Sequence, residues 1–156
     1  LTKECLTRSH EETRELARQF ATTLQPGDIV ALIGELGAGK TEFTRGIADV
    51  FNVEVDITSP TFSLLNIYVG SVRGRPVEIY HFDWYRINDA EELYNIGFEE
   101  YFYGEGVCIV EWADRFPKLI PKHARQVRIE TVGDTERRIV IEGGLPIARA
   151  TSFWRQ

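Results

Sequence analysis

Apolar positions change their spacing twice in the first third of the chain, and each change marks an element. Thr13, Leu16, Ala17, Phe20 and Leu24 fall at helical intervals behind Ser9 and Glu12, a capping-box pair, until Pro26-Gly27-Asp28 ends the pattern. An amphipathic first helix is predicted there. Ile29 to Gly34 is then a continuous apolar run, as in a strand buried on both faces of a parallel sheet. It leads straight into a glycine-rich turn, after which Phe43, Ile47 and Val50 share one face of a helix predicted over Thr41 to Val50.

From Thr58 the text turns β-rich. SPTFSLLNIYV and VEIYHFD, separated by the polar stretch Gly70 to Pro76, predict a hairpin. Asn88 to Ile96 predicts a short helix with Leu93 and Ile96 inward, and Gly106 to Trp112 a further buried strand. RQVRIETVGDTERRIVIEG reads as a second hairpin around Gly133-Asp134. The residues before Ser9 read as a polar leader, and Leu145 to Gln156 as a poorly ordered tail. No repeat, low-complexity tract or linker divides residues 1–156, so one domain is expected.

Composition narrows the picture. With 43% hydrophobic and 12% aromatic residues in 156, the chain can bury a sizeable core and is unlike a disordered segment. No run approaches the roughly 18 apolar residues of a membrane span, and the opening residues do not form a signal peptide, so a cytoplasmic protein is expected. Cys5 and Cys108 stand apart, which argues against a disulfide framework or a thiolate zinc site; Cys108, inside VCIVEW, reads as a buried inert thiol. The net charge of −6 argues against autonomous nucleic-acid binding. Its distribution is uneven: residues 1–114 carry 9 basic and 20 acidic side chains, residues 115–156 carry 9 and 4. The basic end is either a solvated strand face offset by the acidic body or a docking surface for RNA or an acidic partner.

The chemistry concentrates in GELGAGKT, Gly34 to Thr41, which fits the phosphate-binding pattern G-x-x-x-x-G-K-[ST] and lies between a predicted strand and helix, as that pattern requires. The candidate nucleotide-binding positions run Gly34-Glu35-Leu36-Gly37-Ala38-Gly39-Lys40-Thr41-Glu42. Gly34, Gly37 and Gly39 permit a tight curl whose N–H groups converge on phosphate oxygens, while the helix directs its positive end at the same anion. Lys40 can bridge the β- and γ-phosphates, and the Thr41 hydroxyl is placed to ligate Mg²⁺. Glu35 is expected to face solvent, because an inward carboxylate would repel phosphate.

A second magnesium anchor is expected at the C-terminal end of a neighbouring strand. Asp83 ends VEIYHFD and Glu111 ends VCIVE, so both are candidates to hold the metal; the plainer reading of each is a strand-end cap or an ion pair. Asp83 matches the Walker B position, and Glu111 could ligate the metal or orient the attacking water. Thr61, in Ser59-Pro60-Thr61-Phe62, could sense the γ-phosphate, or the tetrapeptide could be an ordinary entry turn. Arg86 and Arg115 are candidate neutralisers of phosphate charge, with surface salt bridging the alternative; His81 and Trp112 read as packing residues first.

GELGAGKT, SPTF, YHFDWYR, EELYNIGFEEYF and GVCIVEWADR, in that order, resemble the bacterial TsaE (YjeE) family over roughly Gly27 to Arg115. The resemblance implies an α/β, P-loop NTPase-like three-layer fold, its mainly parallel central sheet flanked by helices and extended by antiparallel hairpins. It implies an ATPase, converting ATP and water to ADP and phosphate, that acts with TsaD and TsaB in the threonylcarbamoyl modification of the adenosine beside the anticodon. Contact with tRNA would then be indirect, through the complex. By motif, Gly37 to Thr41 would bind phosphates, Thr41 and Glu111 hold Mg²⁺, Asp83 take the Walker B role and Thr61 the switch role. One departure stands out: the family commonly has a second Thr after GKT, where this chain has Glu42, whose N–H can still donate while its carboxylate must turn away. A GTPase is disfavoured by the lack of an NKxD-type segment or a DxxG after Asp83, and a small-molecule kinase by the shortness of the GEGVC and ADRFPK segments. A nucleotide-gated binding protein, whose product is a conformational state, overlaps with the family role.

Overall fold

The computed structural model describes residues 2–35, 37–58 and 64–143. Seven strands form one sheet: β1 (Thr2–Thr7), β2 (Ile29–Gly34), β3 (Leu65–Val72), β4 (Arg75–Asp83), β5 (Val107–Glu111), β6 (Arg125–Thr131) and β7 (Arg137–Glu142). Their order is β1-β7-β6-β2-β5-β4-β3. The central four, β6-β2-β5-β4, are parallel. Antiparallel pairings add β3 at one edge and β7 with β1 at the other. This is the mixed α/β architecture expected, parallel at its centre.

Alternation sends odd and even positions of each strand to different layers. Val30, Leu32, Ile109 and Ile129 face α1 (His10–Ala21) and α2 (Lys40–Val50). Ile29, Ala31, Phe82 and Val110 face α3 (Glu91–Asn95) and α4 (Phe98–Phe102), with Trp84 and Leu93 filling the same layer. Ser9 caps α1 as expected: extended, with its Oγ accepting from the Glu12 N–H at 3.1 Å. The Glu12 carboxylate reaches back one residue further than the motif predicts, to the Arg8 N–H at 3.1 Å.

Three boundaries differ from the sequence reading. The first helix stops at Ala21, short of Leu24, because the Thr22 and Thr23 hydroxyls donate to Gln19 O and Phe20 O, each at 2.7 Å, and close off its last turn. The polar stretch after Tyr68 is mostly strand, with only Arg73 and Gly74 turning, both at positive φ (53° and 78°), the combination that suits a tight hairpin. The helix expected over Asn88 to Ile96 is shorter, α3 at Glu91–Asn95, and a second short helix, α4, follows Gly97 (φ 70°); Leu93 is buried as expected, but Ile96, at the C-terminal end of α3, is 37% exposed. Phe98 and Phe102 point inward in its place. The polar leader is a strand, β1, which pairs with β7 across its whole length. Cys5 lies on that strand, and Cys108 is buried, its thiol pushed well above the usual range by desolvation. The expected tail, 145–156, lies outside the described residues.

The α1–α2 crossing sets the position of the glycine-rich turn. Gly46 permits it: a Cβ there would lie 2.4 Å from Arg14 O and 2.5 Å from Ala17 Cβ. Arg14 donates to both carboxylate oxygens of Asp49, at 2.7 and 2.8 Å, and Arg18 adds a third bond at 3.0 Å. Gly46→Ala is therefore expected to destabilise by about 1–3 kcal/mol through overpacking. A thermal melt checks this, with a drop of roughly 2–4 °C expected per kcal/mol in a domain of this size; an unchanged melt would mean that the helices part freely.

Candidate functional site

Because β2, β4 and β5 are parallel, their last residues share one edge of the sheet, and Gly34, Asp83 and Glu111 are those residues. Asp83 and Glu111 are register partners on adjacent strands, so their side chains leave the same face, the one that α2 covers. The loop and both acids are thus brought together as expected. Gly37 and Gly39 have φ of 78° and 113°, the left-handed region that the curl needs. Gly34 is required for a different reason, since a Cβ there would come 2.7 Å from Ile129 O.

Lys40 opens α2 and is only 5% exposed. Its Nζ donates to Gly34 O at 2.5 Å and Glu35 O at 3.0 Å and sits 4.2 Å from the centre of the Trp112 ring. Burial holds the ammonium below the usual lysine range, opposed by the charges of Glu111, Asp83, Asp114 and Glu35. Burial also raises the Asp83 carboxyl; the Tyr85 N–H on Oδ1 (2.9 Å) opposes this, and the Glu111 charge adds to it. Glu111 is 3% exposed, and His81 Nε2 approaches its Oε2 at 2.5 Å. Glu111 as a carboxylate accepts from His81 Nε2, and among the described residues His81 Nδ1 and Trp84 Nε1 are buried nitrogens without a partner.

Thr41 follows Lys40 in the first turn of α2 and is half-buried. Glu35 is exposed, as expected. Glu42 turns its carboxylate from the loop to Arg45 (3.1 Å) and Arg14 (3.8 Å). Ala38 is buried, and its N–H donates to Glu35 O at 3.1 Å. Leu36 and the Ser59-Pro60-Thr61-Phe62 segment lie outside the described residues. Arg86 is exposed, and Arg115 donates from Nε to Ile87 O at 2.5 Å, which straps two segments.

Three residues matter more than the sequence reading allowed. His81 orients Glu111, and Trp112, in the left-handed region at φ 58°, faces the Lys40 ammonium. Arg137 is 7% exposed and donates to Ala38 O (2.9 Å), so it touches the loop directly. The signal was present: Arg137 shares its strand phase with the buried Ile139 and Ile141, as His81 does with Ile79. The basic end is also accounted for in part. Arg137 turns inward, Arg138 pairs with Glu4 (3.1 Å) and Glu130 (3.5 Å), and Arg125 lies over the Phe20 ring. Those three charges are engaged within the fold.

The fold and site define a class: an α/β protein whose parallel centre presents, at one edge, a glycine-rich strand-to-helix turn, a buried lysine and two strand-end acids. Residues 7–139 match the family model described as threonylcarbamoyl adenosine biosynthesis protein TsaE. The TsaE protein of Bacillus subtilis is 41% identical over 83% of this chain and 78% of its own length. That of Treponema pallidum is 35% identical over 88% and 98%. The crystal structure of Bacillus subtilis YdiB superposes with a TM-score of 0.72 at 34% identity, covering 93% of this chain and 87% of its own. The chain belongs to the TsaE family of threonylcarbamoyl adenosine biosynthesis proteins. No helix among the described residues is long and apolar enough to cross a membrane.

Proposed function

We propose that this protein is a magnesium-dependent P-loop ATPase that acts, with TsaD and TsaB, in the threonylcarbamoyl modification of the adenosine beside the anticodon in tRNA. The observation that carries the reading is the convergence on one sheet edge of the Gly34–Thr41 turn, the buried Lys40 ammonium and the registered pair Asp83 and Glu111. The first N–H groups of an α-helix lack intrahelical acceptors, and a polyphosphate bound at the start of α2 would complete them. Lys40 would exchange its two carbonyl partners for phosphate oxygens, which bind an ammonium more strongly.

The donor set suits magnesium. A hydroxyl from Thr41 and carboxylates from Asp83 and Glu111 are the hard oxygens that Mg²⁺ takes, together with substrate phosphates. The two acids also crowd each other, a repulsion that a divalent cation relieves. When bound, the ion supplies charge neutralisation at the β- and γ-oxygens. Asp83 and Glu111 hold the catalytic edge, Glu111 orients water or metal under the fixed direction given by His81, and Thr61 serves as the switch residue. The tRNA role fits a cytoplasmic location, with tRNA met through the partner proteins.

Mixing the protein with TsaD and TsaB tests the reading. ATP-dependent assembly is expected, detected as co-elution, together with release of free phosphate and no phosphorylated metabolite. Phosphate appearing on an acceptor would favour a kinase, and no assembly under any nucleotide would leave only a generic ATPase.

A further inference from the structure

Arg137 begins β7, yet its guanidinium is not on the surface. Nε donates to Ala38 O at 2.9 Å and Nη2 to Gly37 O at 3.4 Å, both in the glycine-rich turn. Nη1 donates to the β6–β7 turn, at Gly133 O (3.0 Å), Asp134 O (3.4 Å) and Glu136 O (2.9 Å). Among the described residues no ion pair joins it. A buried guanidinium held only by carbonyl dipoles is costly, because carbonyls carry no counter-charge. A stability role alone would be met more cheaply by an apolar residue continuing the Ile139 and Ile141 face.

We propose that Arg137 is a positioning residue for polyphosphate binding: it braces the glycine-rich turn by two carbonyls and fastens that turn to the β6–β7 turn. The peptide plane is the reason. In the trans Ala38–Gly39 peptide, C=O and N–H point opposite ways, so fixing Ala38 O on the guanidinium turns the Gly39 N–H away from it. A charged donor on the carbonyl also polarises the peptide, which makes that N–H a stronger donor to an anion. The guanidinium spreads its donors over three nitrogens, so Nε and Nη2 hold one turn while Nη1 holds the other; a lysine would gather all its donors on one atom. The fixed positive charge behind the loop supplements the mobile one on Lys40.

This inference rests on the phosphate-binding reading, so its test has an arm that needs no nucleotide. Arg137→Gln and Arg137→Lys are compared with the unaltered protein by amide hydrogen exchange and by titration with ATP and AMP. Faster exchange at residues 37–41 in both variants, with α1 unchanged, is the result expected of a lost brace. ATP affinity is expected to fall about tenfold in both, the scale of one lost charge-assisted contact, with a smaller loss for AMP. Loop exchange equal to that of the unaltered protein, or full ATP affinity in Arg137→Lys, would overturn the proposal. Failure of the unaltered protein to bind ATP would instead overturn the phosphate-binding reading, and the exchange arm would still decide the brace. Should Arg137→Gln unfold, Arg137→Lys, which keeps the charge, carries the comparison alone.

Discussion

Lys40→Ala is expected to abolish ATP hydrolysis and to weaken ATP binding by about a hundredfold or more. The size follows from two charge-assisted bonds to phosphate, each worth about 1.5–3 kcal/mol, where about 1.4 kcal/mol is a factor of ten. The free protein already bears the cost of burying this ammonium, which is 5% exposed and held below the usual lysine range by desolvation. That preparation is why the loss should exceed that of a surface lysine. Removing the charge also takes away an ammonium that interacts favourably with both Asp83 and Glu111. Isothermal titration with ATP and a phosphate-release assay check the expectation, and a thermal melt confirms that the variant is folded. Unchanged nucleotide binding in a folded variant would remove the foundation of the proposed function.

The parts of the site legible in the sequence are those whose chemistry is local. Gly34 to Thr41 carries its own geometry, because two of its glycines occupy the left-handed region and the third yields space to Ile129. Asp83 and Glu111 were legible as strand ends, since an acid closing an apolar run of a parallel strand has few other places to go. What alternation could not give was partnership. His81 shares the inward phase of β4, but only the register of β4 against β5 puts it beside Glu111. Arg137 likewise shows an inward phase, while its acceptors lie about a hundred residues earlier, at Gly37 and Ala38. β1 escaped notice because an edge strand with one buried residue, Thr7, has almost no alternation of its own; β7 defines it. α4 has no signal of its own, because five residues behind Gly97 are too few to show a helical period. At Glu42 the expected turning away is seen, and its cause is partly local, Arg45 three residues on in α2 at 3.1 Å, and partly tertiary, Arg14 of α1 at 3.8 Å.

Glu111→Gln and Asp83→Asn are expected to lower Mg²⁺-dependent turnover by about 10²–10³-fold, the usual cost of removing one preorganised electrostatic group, while ATP affinity falls far less. Both substitutions keep the shape of the side chain. Glutamine retains an oxygen that can accept from His81 Nε2, so the buried pair stays hydrogen-bonded, and asparagine can still accept from the Tyr85 N–H. What each loses is charge at the sheet edge, and charge is what a bound Mg²⁺ requires. The effect on binding is expected to be small because, in the proposed function, the loop amides and Lys40 would grip the phosphates from the other side. Loss of one acid removes a repulsion that adds to burial in raising Asp83, but also a counter-charge to the buried Lys40 ammonium, so stability in the metal-free state should change little in either variant. Steady-state kinetics across a magnesium titration, read beside a melt without metal, separates the two effects. Normal turnover in both variants would refute the metal assignment, and a fall in affinity as large as the fall in turnover would show that the acids hold the nucleotide itself.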